Sequence, residues 1–296
     1  MERHEIETFL TLAEELHFGR ATERLGLSQG RVSQTIKKLE RRFGALLFER
    51  TSRRVALTPV GERLRDDLLP AQRQIRHAIN RATAAGRGIT ASLRVGYSAY
   101  WCGDLVVRAD EVFRQRHPDC AVHVQEVSLG DPLGPLRAGE LDLQLTELPI
   151  DEPDITNGPI LFTEPRALIV PAGHPLARRE TLSLEDLTDI PLVDLTGDIP
   201  RYWLDWNYPA ATPSGRPIPR GPAASTWPDV HLLVAMGKAA TPAARKAAQY
   251  HFRPDVVVVP FSDAPPLEYA LLWPTAKETA LVREFTDIAV ALAARR

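Results

Sequence analysis

Cysteine is nearly absent. Cys102 and Cys120 are the two in 296 residues, too few for a disulfide framework. No uninterrupted apolar run approaches the roughly 20 residues of a membrane helix, so no membrane partner is expected. The amino-terminal MERHEIETFL is charged and amphipathic and lacks the apolar stretch of a secretory signal. The expected compartment is therefore cytoplasmic. The eight histidines are scattered, and no His or Cys pair has metal-ligand spacing, so neither a metal nor a cofactor is expected. G-x-S-x-G, P-loop and G-x-G-x-x-G patterns are all missing. With no nucleophile or acid–base constellation, no catalytic residue is assigned and the chain does not read as an enzyme. Lysine is also scarce, with five residues against an abundance of Arg, Ala and Pro; this follows gene composition and carries no mechanism.

What is present is unevenly distributed. The formal net charge of −2 conceals ten Arg/Lys against three Glu within residues 20–54, a local balance of +7. Residues 1–90 carry +6 and the remainder −8. A basic head on an acidic body implies a polyanion partner for the head alone. The length suffices for two or three cores.

The head has helical periodicity. A first helix over about Arg3–Leu16 places Ile6, Phe9, Leu12, Ala13 and Leu16 on one stripe. A second carries Ala21 and Leu25 inward and stops at Gly26. Ser28 is a natural N-cap for a third, in which Val32, Ile36, Leu39 and Phe43 form a buried face. Gln29, Ser33, Lys37 and Arg41 lie opposite, spaced by fours. A short helix, a tight turn and an N-capped helix with a polar, basic outer face form a helix-turn-helix. Gln29, Ser33 and Gln34 near the helix start suit base edges, whereas Arg31, Lys37 and Lys38 suit phosphates. The segment 46–57 reads as strand, turn, strand, with Arg50, Arg53 and Arg54 at the tip as a wing for phosphate or minor groove. The full DNA-contact set expected is Arg20, Ser28, Gln29, Gly30, Arg31, Ser33, Gln34, Lys37, Lys38, Arg50, Arg53 and Arg54.

These residues resemble a known family. HFGRATERLGLSQGRVSQTIKKLERRFGALLFERTSRRVALTPVG is similar to the winged helix-turn-helix of LysR-type transcriptional regulators, with its L-S-Q turn, V-S-x-x-I-K-x-L-E helix and L-T-x-x-G close. Gly30 stands where the family usually has Pro, and Gln34 where it often has Arg. The fold tolerates both, but they leave the operator sequence open. The resemblance implies binding of an inverted-repeat promoter site in double-stranded DNA by a homo-oligomer, a dimer within a tetramer. It also implies control by a small-molecule effector.

Leu64, Leu68, Ala71, Ile75, Ala78, Ala82 and Ala85 are spaced by alternating fours and threes, a heptad seam. Two readings stand: a helix packed on its own body, or the dimerising linker helix the resemblance implies. Pro70 inside it predicts a kink, and Gly86 and Gly88 a hinge. Beyond it, strand–helix alternation through 92–99, 121–127, 141–145, 166–170, 190–195, 256–260 and 268–273 predicts a parallel sheet, with ligands at the strand ends. The resemblance extends here as an α/β, periplasmic-binding-protein-like domain of two lobes. The fold expected is therefore multidomain: winged helix-turn-helix (1–60), linker helix (61–88), lobe one (89–163 and 266–296) and lobe two (164–265).

The cleft between such lobes is expected to be lined by Ser98, Ala99, Tyr100, Ser128, Thr146, Glu147, Thr196, Gly197, Ser225 and Thr226. Arg201 and Arg220 are candidate partners for an anionic ligand. Tyr202, Trp203, Trp206, Tyr208 and Trp227 can either stack an aromatic effector or pack in a core. Cys102, at a helix start beside the cleft, is either an oxidant-sensing thiol or a buried structural one. A ligand-independent DNA binder, a small-molecule binder without regulatory role, and an enzyme using the cleft are the alternatives.

Overall fold

Three helices open the chain, and local capping decides where each stops. α1 (Arg3–Glu15) starts from a reciprocal capping box between Glu2 and Glu5 and ends at Leu16, whose φ is 47°. α2 (Phe18–Leu25) ends at Gly26, and α3 (Gln29–Phe43), capped by Ser28, ends at Gly44. The caps correct two periodicity assignments. Leu16 and Phe43, expected on buried faces, are each 41% exposed, because each sits at the end of its helix. The buried set includes Phe9, Leu12, Ile36, Leu39, Leu47 and Phe48, with the Phe9 and Phe48 rings 5.6 Å apart.

The computed structural model describes residues 1–50, 55–86, 91–250 and 254–295. They divide into two compact units, Met1–Thr83 and Ala84–Arg296. In the first, β1 (Phe48–Arg50) pairs antiparallel with β2 (Val55–Leu57), Phe48 opposite Leu57. α4 (Pro59–Gly86) follows at once. The Thr58 hydroxyl donates to the Leu46 carbonyl at 2.7 Å and accepts from the Gly61 N–H at 3.0 Å. A Cβ on Gly61 would stand 2.1 Å from the Leu47 carbonyl oxygen, so only glycine lets α4 begin this close to the strand. The T-x-x-G pattern is thus a packing requirement. Leu64, Leu68 and Leu69 of α4 pack on the helical core, whereas Ile75 and Ile79 are 53% and 44% exposed. Pro70 lies within the helix without ending it. The side chains of Ala82 and Ala85, and Gly88, lie outside the described residues.

The second unit holds two lobes. β3 (Ala91–Tyr97), α5 (Tyr100–Arg116), β4 (Cys120–Glu126), α6 (Gly134–Arg137), β5 (Leu143–Glu147) and β6 (Ile155–Glu164) build the first. β7 (Arg166–Pro171), β8 (Leu192–Leu195), α7 (Arg201–Asn207), β9 (Arg220–Ala224), α8 (Trp227–Ala235), β10 (Thr241–Ala244) and β11 (Val256–Pro260) build the second. The chain then returns through β12 (Leu267–Pro274) and α9 (Ala280–Ala293). The first sheet runs β4-β3-β5-β12-β6, with β3 parallel to both β4 and β5 and β12 antiparallel to β5 and β6.

The parallel-sheet expectation needs correcting in both lobes, in the first because β12 runs antiparallel to β5 and β6, and more widely in the second. There β7 lies between β10 and β11, antiparallel to each, and among the described residues the parallel pairing is that of β8 with β9 and the single bridges Leu182–Phe261 and Leu192–Ala240. β7 is buried at every position, so its apolar run fits a central strand of either direction. Burial fixes position in the sheet, not sense.

Candidate nucleic-acid interface and inter-lobe cleft

The two faces of α3 separate cleanly. Val32, Ile36 and Leu39 are fully buried, while Gln29, Arg31, Gln34, Lys37 and Arg41 are exposed and Ser33 is half-buried. Ser28 is occupied as the cap, accepting from the Arg31 N–H at 3.4 Å. A Cβ at Gly30 would meet nothing within 4 Å, so this position constrains no packing.

Two basic members of the expected DNA-contact set also have protein partners. Arg20 Nε donates to Glu15 at 3.1 Å. Lys38 Nζ lies 2.9 Å from the Glu5 carboxylate, which Arg42 also meets at 2.9 Å. The Glu5 side chain has no exposed surface. The Glu2 backbone N–H, then Lys38 and Arg42, hold its carboxyl down to about 2. Lys38 therefore serves first as the counter-charge of a buried acid that joins α1 to α3. Arg53 and Arg54 lie outside the described residues, as does the side chain of Arg50.

Sequence reasoning missed Glu40. It is buried and its Oε1 accepts from the backbone N–H groups of Leu47 and Phe48 at 3.1 and 3.3 Å. It thereby ties the end of α3 to the start of β1. An acidic residue on the buried side of an otherwise apolar helix face was the available signal.

In the second unit, the loops expected to line an open cleft touch one another instead. The Gly130 N–H donates to the Ser225 carbonyl at 2.8 Å, and the Asp198 N–H to the Gly130 carbonyl at 2.8 Å. A Cβ on Gly197 would stand 1.9 Å from the Gly130 oxygen, and Gly197 has φ of +136°. Backbone meets backbone across the lobes. Trp227 Nε1 adds a bond to the Ser98 carbonyl at 3.0 Å. Tyr202 accepts from the Asp151 N–H and donates to Glu152, both at 3.0 Å. Thr226 caps α8, accepting from the Asp229 N–H. Thr196, Gly197 and Ser225 thus belong to a latch, and the lobes are shut. Tyr100 and Ser128 are exposed, whereas Ala99 and Thr146 are buried.

Behind the latch lies a cavity of about 20 Å³ lined by Trp101, Glu147, Arg166, Trp203, Asn207, Tyr208, Trp227 and Tyr269 among others. That is room for one water. Of the expected lining residues, Glu147 alone reaches it. Its carboxylate accepts from Ser98 Oγ at 2.6 Å, and burial pushes its pKa up. Arg166 was not foreseen. Burial pulls it down to about 10, opposed by Tyr269 and Glu147. Arg201 pairs with Asp205 at 3.0 Å, and Arg220 donates to the Tyr208 carbonyl at 2.6 Å, so each has a local partner. Trp203, Tyr208 and Trp227 are 3 to 5% exposed, core residues that also line the cavity. Cys102 is fully buried and donates to the Ala99 carbonyl at 2.9 Å. Burial, reinforced by the Glu147 charge, pushes its thiol up to about 12, the opposite of a reactive cysteine.

Comparison with known proteins agrees along the chain. The family model of the bacterial regulatory helix-turn-helix protein, lysR family, matches residues 4–62, and that of the LysR substrate binding domain matches residues 86–294. The HTH-type transcriptional regulator AlsR of Bacillus subtilis is 30% identical over 207 residues, covering 70% of this chain and 68% of that one. A full-length OxyR variant from Pseudomonas aeruginosa is similar in structure over 99% of both chains, at 28% identity and a TM-score of 0.51. CbnR, a LysR family transcriptional regulator, is similar over 99% of both chains at 18% identity and a TM-score of 0.59, a likeness of fold. Among the described residues, no helix is long and apolar enough to cross a membrane.

Proposed function

The chain belongs to the LysR family of bacterial regulatory proteins, and from that premise we propose that it is a cytoplasmic, non-enzymatic transcriptional regulator. It binds an inverted-repeat promoter site as a homo-oligomer and changes its hold on DNA when an effector enters between the lobes. The observation that carries this is the outer face of α3: Gln29, Arg31, Gln34, Lys37 and Arg41 are exposed above a fully buried apolar face. Amides at the start of such a helix can pair with adenine, and the cations behind them can hold phosphates. In this reading residues 1–60 are the DNA module, α4 brings subunits together through Ile75 and its neighbours, and 89–296 is the sensor. The latch between Gly130 and Gly197 is the element an effector must open or replace.

A mobility shift at physiological salt tests it, comparing DNA upstream of the protein's own gene with random duplex. The expected preference is about a thousandfold or more. Equal affinity for the two would reject the assignment.

A further inference from the structure

Glu5 lies in the first turn of α1, and its side chain has no exposed surface. The Glu2 backbone N–H donates to Oε2 at 2.9 Å, which fixes the acid within the capping box. Two cations from α3 close over it. Arg42 donates to both oxygens, from Nη1 at 2.9 Å and Nη2 at 3.3 Å, and Lys38 Nζ lies 2.9 Å from Oε1. Both cations keep a side facing water, with side chains 56% exposed for Lys38 and 40% for Arg42.

Lys38 stands where a phosphate contact would be expected. It follows Gln34 by four residues and Arg31 by seven on α3, so the three share one side of the helix, and Arg31 and Gln34 are exposed. The charge of Lys38 is nevertheless directed inward. A pair made at a buried carboxylate is stronger than one made at a phosphate in water, because the local dielectric is lower. A carboxylate kept from water without its counter-charges would also be strongly destabilising. The cluster of two cations and one acid carries a net charge of +1, so one positive charge is cancelled on the side of α3 that carries Gln34.

We infer that Glu5 is a positioning residue that limits sequence-independent binding: by holding Lys38 and Arg42 against α1, it keeps Lys38 from the phosphates and leaves the grip on the DNA backbone to Arg31, Lys37 and Arg41. This rests on the DNA-binding reading of α3, through its phosphate contacts and not through base recognition.

Salt titration of binding to random duplex, between about 50 and 200 mM, tests it. Glu5→Gln keeps an acceptor for the Glu2 N–H and removes the charge. The slope of log affinity against log salt steepens by about 1, and affinity at physiological salt rises about fivefold. Affinity for the promoter site rises by the same factor, and the preference between the two duplexes stays within about twofold, since a freed lysine reads no base. Lys38→Met in the Glu5→Gln background returns the slope to that of the unaltered protein. Lys38→Met alone changes the slope by less than about 0.3, where Lys37→Ala reduces it by about 1. The inference is overturned if Glu5→Gln leaves the slope unchanged or weakens binding to random duplex, or if Lys38→Met alone flattens the slope as Lys37→Ala does. A promoter preference lost in Glu5→Gln would mark a purely structural role and overturn it equally. Should Glu5→Gln fail to fold, the comparison of Lys38→Met with Lys37→Ala decides. Equal affinity of the unaltered protein for both duplexes would reject base reading by α3, while the slopes would still measure the role of Glu5.

Discussion

Replacing Gly197 by alanine should spring the latch between the lobes. The new methyl would stand 1.9 Å from the Gly130 carbonyl oxygen, a separation no packing tolerates, and the obstacle is backbone rather than a side chain that can swing away. The loops must part, and the bonds from Gly130 N–H to Ser225 and from Asp198 N–H to Gly130 go with them. Two neutral hydrogen bonds contribute about 2 kcal/mol together. Holding alanine at the φ of +136° would cost about another 1 to 2 kcal/mol. The closed arrangement thus loses about 3 kcal/mol, roughly a hundredfold in population. Native-state hydrogen exchange reads this directly. Amide protection at Gly130 and Asp198 should fall about a hundredfold, while the amides of β7 in the same lobe keep theirs. Unchanged protection at both amides would refute the reasoning, since it would mean the variant accommodates the methyl without parting the loops.

Four further outcomes follow from named contacts. Glu40→Ala leaves the Leu47 and Phe48 N–H groups buried without an acceptor, so urea unfolding should show a loss of about 3 kcal/mol. Glu5 has a folded pKa of about 2, below its ordinary 4.5. The stability it contributes is therefore complete above about pH 4.5 and is lost as pH falls toward 2. Glu5→Gln should flatten that acid limb in thermal melts. Arg31→Ala and Lys37→Ala should each reduce the slope of log affinity against log salt by about 1, whatever the DNA sequence. Cys102→Ser should bind DNA as the unaltered protein does, both with peroxide and without it, because a thiol pushed up to about 12 holds almost no thiolate; a peroxide response that the unaltered protein shows and the variant loses would contradict it.

The helical head was legible because capping and periodicity act over a few neighbouring residues. Ser28, Gly26 and the Val32/Ile36/Leu39 spacing depend on nothing distant. The sensor unit was legible only where strands are long and apolar. β9 (RGPAA) and β10 (TPAA) carry Gly, Pro and Ala and have little intrinsic strand preference; their pairing partners make them strands. β6 (ITNGPILFTE) contains both Gly and Pro and is tolerated because it is an edge strand. Of these three, β10 pairs with β7, so its weak strand signal hid one of the two antiparallel neighbours of β7. The site failed for a related reason. Arg166 and Glu147 are 19 positions apart and meet the same cavity only because β5 ends and β7 begins at the junction of the lobes. The latch residues were recognised as loop ends, but a sequence does not report whether two loops face a cleft or each other.

The measurement that bears most directly on the account is the specificity of a variant carrying Gln29→Ala and Gln34→Ala. Both side chains are exposed near the start of α3 and touch no core, so folding should be unaffected. If they read bases, affinity for the promoter site should fall by about tenfold or more, and affinity for random duplex should stay within about twofold. A variant that keeps its full preference for the promoter site would contradict the claim that this helix face is where the protein reads DNA.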